Sequence, residues 1–478
     1  MSRRALDTNR QGIEITGHNL SNLSNPAYAR QRLRIQTGEA LPSPSGPTGT
    51  GSVVSAIEQV RSQLLDSQIA IETSITGFLE SKQKALEFGE VNLGQRIDRQ
   101  ATTPEGISAA QGVGGQFGLV EGITEFFNSL QALSVSPNST ADRQVVLLKA
   151  ENLTTKFNNV DSRLERLRGG LNVSVQDDIV EANKLIKEIS DLSASITSSE
   201  LGGTGNANDL KDRRQQAVES LAKVVNLQTS IDSTTNTFSL SVSGRTLISA
   251  NKIDEDLATF TDDAGGRQVR AVNRTTLVAT NLTLTSGSAQ GTINARDGAI
   301  ASLKTQINDL ANALATGVNT LHSPGFALDG RSKDRLFFTG VTAGSRTAAR
   351  DIALNSALLQ DPSLIQASAD GQPGNNDVAL SMARLASQTN AALGNLTFVE
   401  SYNQSVANFG QALNNTNSQL LDQQAVDRML LRQRDSLGGV SVDEEMTNLV
   451  IFQRAFQASA KMITTIDELI QSVIALSR

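Results

Sequence analysis

From Leu449 to the C-terminus, apolar residues recur in alternating steps of three and four. They are Leu449, Phe452 and Phe456, then polar Ser459, then Ile463, Ile466, Ile470 and Val473. That spacing gives an α-helix one narrow apolar stripe. A fainter copy stands at the other end of the chain, in Leu6, Ile13, Leu20 and Leu23, with polar Asn9 and Thr16 in the same register. A chain with a narrow sticky stripe at each end can pair its own ends and offer the pair to other copies. That is the build of a polymerising protein rather than of an enzyme. Two such helices bury little core, and short isolated helices are marginal in water. The terminal pair is therefore expected to be disordered in the monomer and to fold when neighbours cover it.

Between the ends, the hydrophobic period divides the chain. Residues 1–40 read as an N-terminal helix, stopped ahead of Asn25-Pro26, and an extended arm. The Pro/Gly/Ser-rich run from Leu41 to Gly51 reads as a linker. Residues 41–225 form the helical part of a middle domain, with helices over Ile57–Leu93, Leu119–Leu133, Ala141–Leu167, Val175–Ser198 and Asp209–Val225. Over 226–290 the period falls to two, as in Thr237-Phe-Ser-Leu-Ser-Val-Ser, which marks a small β-subdomain. Helices return over 291–438, on one seam from Ile300 to Leu321 and another from Val399 to Leu420, and Gly438-Gly439 ends them. Residues 439–478 hold the C-terminal helix, with Ser441-Val-Asp-Glu444 as a capping box. The fold class is thus mainly α with a small β-subdomain. Long helices form bundles, and the N- and C-terminal helices pair as a coiled-coil-like terminal domain.

Composition closes several routes. Net charge is −7 from 42 Lys+Arg and 49 Asp+Glu, with no basic block to track phosphates, so nucleic acid is not an expected partner. Aromatics are 4% with no Trp, so cores are built from Leu, Ile, Val and Ala. There is no Cys, so disulfides contribute nothing. No apolar run reaches the length of a membrane span, and the basic start Met1-Ser-Arg-Arg lacks the apolar segment of a cleaved signal.

No catalytic, cofactor or metal set emerges. His18 and His322 are the only histidines and stand far apart. Gly112-Val-Gly-Gly-Gln-Phe-Gly118 follows no strand and reads as a connector, not a nucleotide loop. Asp254-Glu-Asp256 and Asp262-Asp263 lack a Ca²⁺-loop spacing and read as solvated turn carboxylates.

Two longer motifs carry a resemblance. Asn19-Leu-Ser-Asn-Leu-Ser-Asn-Pro-Ala-Tyr28-Ala-Arg30-Gln31 resembles the N-terminal signature of the bacterial flagellar axial proteins. Gly439-Val-Ser-Val-Asp-Glu-Glu-Met-Thr-Asn-Leu-Val-Ile-Phe-Gln-Arg-Ala-Phe-Gln-Ala-Ser-Ala-Lys-Met462 resembles their C-terminal signature. The Tyr-x-Arg-Gln and Gly-Val-x-x-Asp-Glu-Glu forms, and His322-Ser-Pro-Gly-Phe326, are similar to the branch at the first hook–filament junction. The chain departs from that pattern in three ways. Ala27 replaces a usual Gly, the chain starts late, so that either Met1 is not the true start or the terminal helix is shorter, and the stretch after Phe337-Phe338 is short. An outer second β-domain is therefore expected to be reduced or missing.

The resemblance implies a non-enzymatic structural protein outside the cell, secreted through the flagellar type III export channel. It implies a ring of copies at the hook–filament junction. The implied partners are other copies, the hook protein, a second junction protein and an export chaperone, with no membrane. The expected subunit interface comprises Leu6, Ile13, Leu20, Leu23, Leu449, Phe452, Phe456, Ile463, Ile466, Ile470 and Val473. Tyr28 and Arg30 are expected to lie across a neighbour's helices; the alternative is that they fasten the arm to their own molecule. Other readings are the neighbouring junction protein or a flagellin or hook-type axial protein, and a flagellum-borne wall hydrolase, for which no acid/base or metal set is present.

Overall fold

A computed structural model describes residues 1–25, 27–42, 46, 48–92, 118–201, 207–232, 234–342 and 344–476. Helix α1 (Ser2–Ser21) leads to a hairpin of strands β1 (Gln31–Thr37) and β2 (Ser52–Gln59), with a bulge between Arg34 and Ile35. Helices α2 (Gln63–Asn92), α3 (Leu119–Val135), α4 (Thr140–Glu200) and α5 (Asn208–Val224) follow. Then come two antiparallel meanders. One is β3 (Leu227–Ile231), β4 (Phe238–Val242), β5 (Arg245–Ser249) and β6 (Lys252–Ile253); the other is β7 (Glu255–Thr261), β8 (Arg267–Asn273) and β9 (Ala279–Asn281). Helix α6 (Ser288–Ala295) passes through a π-helical turn, Arg296–Ile300, into α7 (Ala301–His322). Short elements follow: β10 (Phe338–Thr339), α8 (Ala348–Asp351), β11 (Ala353–Leu354), α9 (Ser356–Gln360) and α10 (Asp377–Arg384). Two long helices, α11 (Phe398–Gly438) and α12 (Val442–Leu476), complete the chain.

The apolar residues collect in two large clusters. The larger joins α3, the first half of α4, α7 and the first part of α11. The few aromatics concentrate in it: Phe126 lies 5.6 Å from Phe338, and Phe127 stacks on Phe398. Edge-to-face and offset packing of this kind adds to their burial. The smaller cluster joins the second half of α4 to α5, both meanders and α6. Strand β4 alternates buried Phe238, Leu240 and Val242 with half-buried serines, so one sheet face is apolar. The seam read from Ile300 holds here, with Ile300, Leu303, Ile307, Leu310 and Leu314 buried, and Ile179, Ala182, Ile186, Ile189 and Ile196 form a buried stripe on α4 within the expected Val175–Ser198 helix.

Several local expectations need correction. The linker read over Leu41–Gly51 is the connecting end of the β1–β2 hairpin, and Leu41 bridges Thr48. The limit drawn at 40/41 therefore falls inside one element. Ile57 and Val60 do not open α2. Ile57 pairs with Leu33 in the hairpin, and the helix begins only after Ser62, whose hydroxyl accepts from Leu65 N. Within α2, Leu65, Ile69 and Ala70 are buried while Leu64 and Ile71 are exposed. Helices expected at 141–167 and 175–198 are one 61-residue helix, α4. Gly169-Gly170 lowers helix propensity by about 1 kcal/mol each, but packing on both sides carries the helix through. The capping box forms at Thr397/Glu400 of α11, where the sequence reading did not place one. The Gly112–Gly118 connector lies almost wholly outside the described residues.

Candidate assembly interface and the junction beneath it

The two terminal helices pair, antiparallel. Asn19 of α1 bonds Glu445 of α12, and Gly12 lies against Phe452, where a Cβ on Gly12 would fall 2.5 Å from Cδ1 of the ring. The residues of α1 that are buried are Thr8, Gly12, Thr16 and Asn19. This small, polar stripe is the deep part of the seam. Leu6, Ile13 and Leu20, expected there, are half-buried at its flanks, and Leu23 is 45% exposed in the turn beyond the helix. A groove of small residues lets two helices approach closely and accepts a ring from one side, which apolar periodicity alone does not reveal. On α12, Leu449, Phe452 and Phe456 are half-buried and Ser459 is buried.

The register that sets Gly12 at Phe452 reaches the start of α1 near Met462. Every α12 residue from 461 to 476 is exposed. Ile463, Ile466, Ile470 and Val473 are 39%, 46%, 53% and 64% exposed, on a helix segment about 16 Å long at 1.5 Å per residue. The four side chains thus leave one continuous apolar stripe in water.

At the other end of the pair, the two terminal signatures turn out to be one structure. The Asn19 side chain, 1% exposed, uses its amide and carbonyl fully. Its Nδ2 donates to Gln31 O and to Glu445 Oε2, both at 2.9 Å. Its Oδ1 accepts from Tyr28 Oη at 2.7 Å and from Gln31 N at 3.0 Å. The Tyr28 hydroxyl also meets His18 Nδ1 at 3.0 Å. Arg30 closes the cluster: Nε donates to Glu445 Oε1 at 2.8 Å and Nη1 to Glu444 Oε2 at 2.8 Å. A buried carboxylate is tolerable only with such partners, and Glu445 is 2% exposed. Tyr28 and Arg30 thus spend their polar groups inside the chain, where the sequence expectation set them on a neighbour. Glu444, expected to complete a capping box with Ser441, gives its carboxylate to Arg30.

A second polar layer ties this cluster to the body. Arg30 N donates to Gly438 O at 3.0 Å and Val60 N to Arg30 O at 2.8 Å, so the outgoing and returning chains cross in contact. Asp212 of α5 accepts from Gln59 Nε2 at 2.9 Å and lies 3.4 Å from Arg61 Nη1, and Arg61 Nε lies 3.1 Å from Asp66. Burial pushes the Asp212 carboxyl up to about 6 against the pull of Arg61, and it raises Asp66 as well. Burial, then the charges of Asp209, Asp212 and Glu445, raises the Tyr28 phenol, which stays a neutral donor. A 550 Å³ cleft opens beside this joint, between Asn22–Asn25 and the Leu431–Ser441 stretch.

Elsewhere, His322 and several of the β-region carboxylates have partners inside the chain. His322 is fully buried, with Nδ1 on Arg335 O at 2.8 Å and Nε2 accepting from Gln366 N at 3.0 Å. Burial pulls it down to about 4. Asp256 pairs with Arg274, Glu255 with Arg245, and Asp262 caps its own turn through Gly266 N. Among the described residues, no group of three or more His, Cys, Asp or Glu could hold a metal ion, and no helix is long and apolar enough to cross a membrane.

Comparison with known proteins gives this geometry its context. Residues 112–338 match the family described as the flagellar hook-associated protein FlgK helical domain, and residues 438–476 the flagellar basal body rod FlgEFG protein C-terminal family. Flagellar hook-associated protein 1 of Bacillus subtilis is 24% identical over 99% of this chain and 96% of its own. Its namesakes from Salmonella typhimurium and Escherichia coli are each 20% identical, over 98% of this chain and 98% and 97% of theirs. In fold, the chain is similar to the flagellar hook junction protein FlgK from Burkholderia pseudomallei, with a TM-score of 0.63 at 14% identity, covering 78% of this chain and all of that one.

Proposed function

We propose that this chain, which belongs to the flagellar hook-associated protein FlgK family and is a structural component of the flagellum, joins hook to filament as a ring of like subunits. The single observation that carries the proposal is the α12 stripe. Ile463, Ile466, Ile470 and Val473 form an exposed apolar face continuous with the α1–α12 seam. Burying what these four side chains still expose contributes roughly 1 kcal/mol each between copies.

Folding of the terminal pair is then coupled to assembly: the seam is thin and polar in one subunit and acquires its core from the next. The subunit interface comprises Leu6, Ile13, Leu20, Leu449, Phe452 and Phe456 at the paired part, and the four stripe residues beyond it. Leu23 lies at the cleft beside the joint, where a neighbour reaches it. Tyr28 and Arg30 set the angle at which this interface is presented. Export through the flagellar type III channel, an export chaperone, and contact with the hook protein and a second junction protein complete the reading.

Ile466→Asp tests it. A carboxylate in an apolar interface costs several kcal/mol. Filament attachment is lost while the melting temperature of the monomer stays unchanged, because Ile466 lies outside both large cores. Normal attachment, or unfolding of the whole chain, refutes the interface.

A further inference from the structure

The body of the molecule has a waist, and two of the helices that cross it, α4 and the α6–α7 helix, carry weak points at one level, while α2 crosses it as one continuous helix from Ala70 in the smaller core to Ala85 in the larger. On α4, the larger core ends at Leu171 and the smaller begins at Val175. On the α6–α7 strand of the bundle, the smaller core ends at Ile293 and the larger begins at Ala295. Just before Leu171 stand Gly169 and Gly170, both exposed and helical, with nothing within 4 Å of where a Cβ would sit. Just after Ala295 comes the π-helical turn Arg296–Ile300, which holds Gly298, likewise open. Glycine pairs and π-turns are both recognised non-proline sites of helix bending.

Contact does not require these glycines. Gly77 and Gly291, by comparison, lie so close to Lys223 and Phe78 backbone that no side chain fits. At the waist each glycine lowers helix stability by about 1 kcal/mol relative to Ala and gains no close approach. What fills the level is polar and concentrated on one turn. Asn172 Oδ1 accepts from Arg296 Nη1 at 2.7 Å and Arg267 N at 3.1 Å. Asn172 Nδ2 donates to Gly265 O at 3.1 Å, and Arg168 Nη2 to Ala264 O at 3.2 Å. The β7–β8 turn is thus a strap from α4 to the π-turn.

We infer that the waist is a hinge. The half bearing the β-meanders bends against the helical half about Gly169-Gly170 and the π-turn, both cores stay intact, and the strap limits the angle.

The chain has no cysteine, so Leu148→Cys and Val180→Cys, at exposed sites on either side of the pair, take spin labels specifically. The two positions lie about 48 Å apart along a straight helix. In the full chain, the distance distribution between them is broad, and it narrows in a Gly169→Ala/Gly170→Ala background. Amide exchange over 167–172 slows about 30-fold there, as two replacements of about 1 kcal/mol each predict. Gly317→Ala, inside the larger core where a Cβ also fits, leaves the width unchanged. A narrow distribution in the native chain, no narrowing in the double variant, or equal narrowing by Gly317→Ala overturns the hinge.

Discussion

Arg30→Met removes the guanidinium from the joint while keeping most of the stem. Glu445 Oε1 then loses its donors, and Asn19 alone still holds Oε2. Breaking a buried ion pair by deleting one partner typically costs 3–5 kcal/mol. Arg30 keeps 25% of its side chain in solvent against 3% for Glu445, so water reaches part of the gap. A figure of about 2–3 kcal/mol follows for docking of the terminal pair. On the proposal that subunits associate through that pair, the concentration needed for self-association rises about 30- to 150-fold. Sedimentation velocity over a concentration series measures this. Glu445→Gln in the same background removes the stranded charge and recovers about 1.5 kcal/mol or more, a coupling expected only for residues in contact. The melting temperature of the body is unchanged in Arg30→Met, in Glu445→Gln alone and in the double variant. Self-association unaffected by Arg30→Met, or strictly additive effects in the double variant, would refute the idea that this cluster aims the interface.

Gly12→Ala drives a methyl into the Phe452 ring and weakens self-association by about 1–3 kcal/mol; Phe452→Leu in the same chain restores much of it. His322 makes the body acid-sensitive. Its folded value of about 4 lies below the unfolded 6.5, so the unfolded chain takes the proton first. Stability is full above pH 6.5 and falls by up to about 3 kcal/mol as pH drops towards 4. Denaturant unfolding between pH 7 and 4 shows the slope, and His322→Asn flattens it. Leu277 has φ of +57° and is 76% exposed at the β8–β9 turn. Leu277→Asn, better suited to that conformation, stabilises the meander by about 0.5–1 kcal/mol in urea.

The long seams of α4, α7 and α11 were legible because apolar period and burial coincide there. The β1–β2 hairpin was not, since Ile57 and Val60 fit a helical frame with Leu64 as well as a strand. Only the Ser62 hydroxyl marked the true helix start. At the ends, periodicity found the α12 stripe but set the α1 seam on its leucines. The deep contacts are Thr8, Gly12 and Thr16, which form a groove by being small, a property that hydrophobic spacing does not score. The Asn19–Tyr28–Arg30–Glu445 cluster was visible only as two separate signatures; that they touch is a fact of tertiary structure.

Asn19 and Glu445 are 426 residues apart along the chain. Closing so long a loop from the unfolded state costs about 5 kcal/mol in chain entropy, more than one polar cluster returns. Once the body has folded, the bond from Arg30 N to Gly438 O sets the two arms side by side, and most of that entropy is already spent. Closure of the ends therefore comes last in the folding order. A chain whose middle is incomplete or misfolded leaves its terminal helices apart and has no joined pair to offer a neighbour. The position of the joint makes it a checkpoint on everything between its two halves, without a residue dedicated to that task.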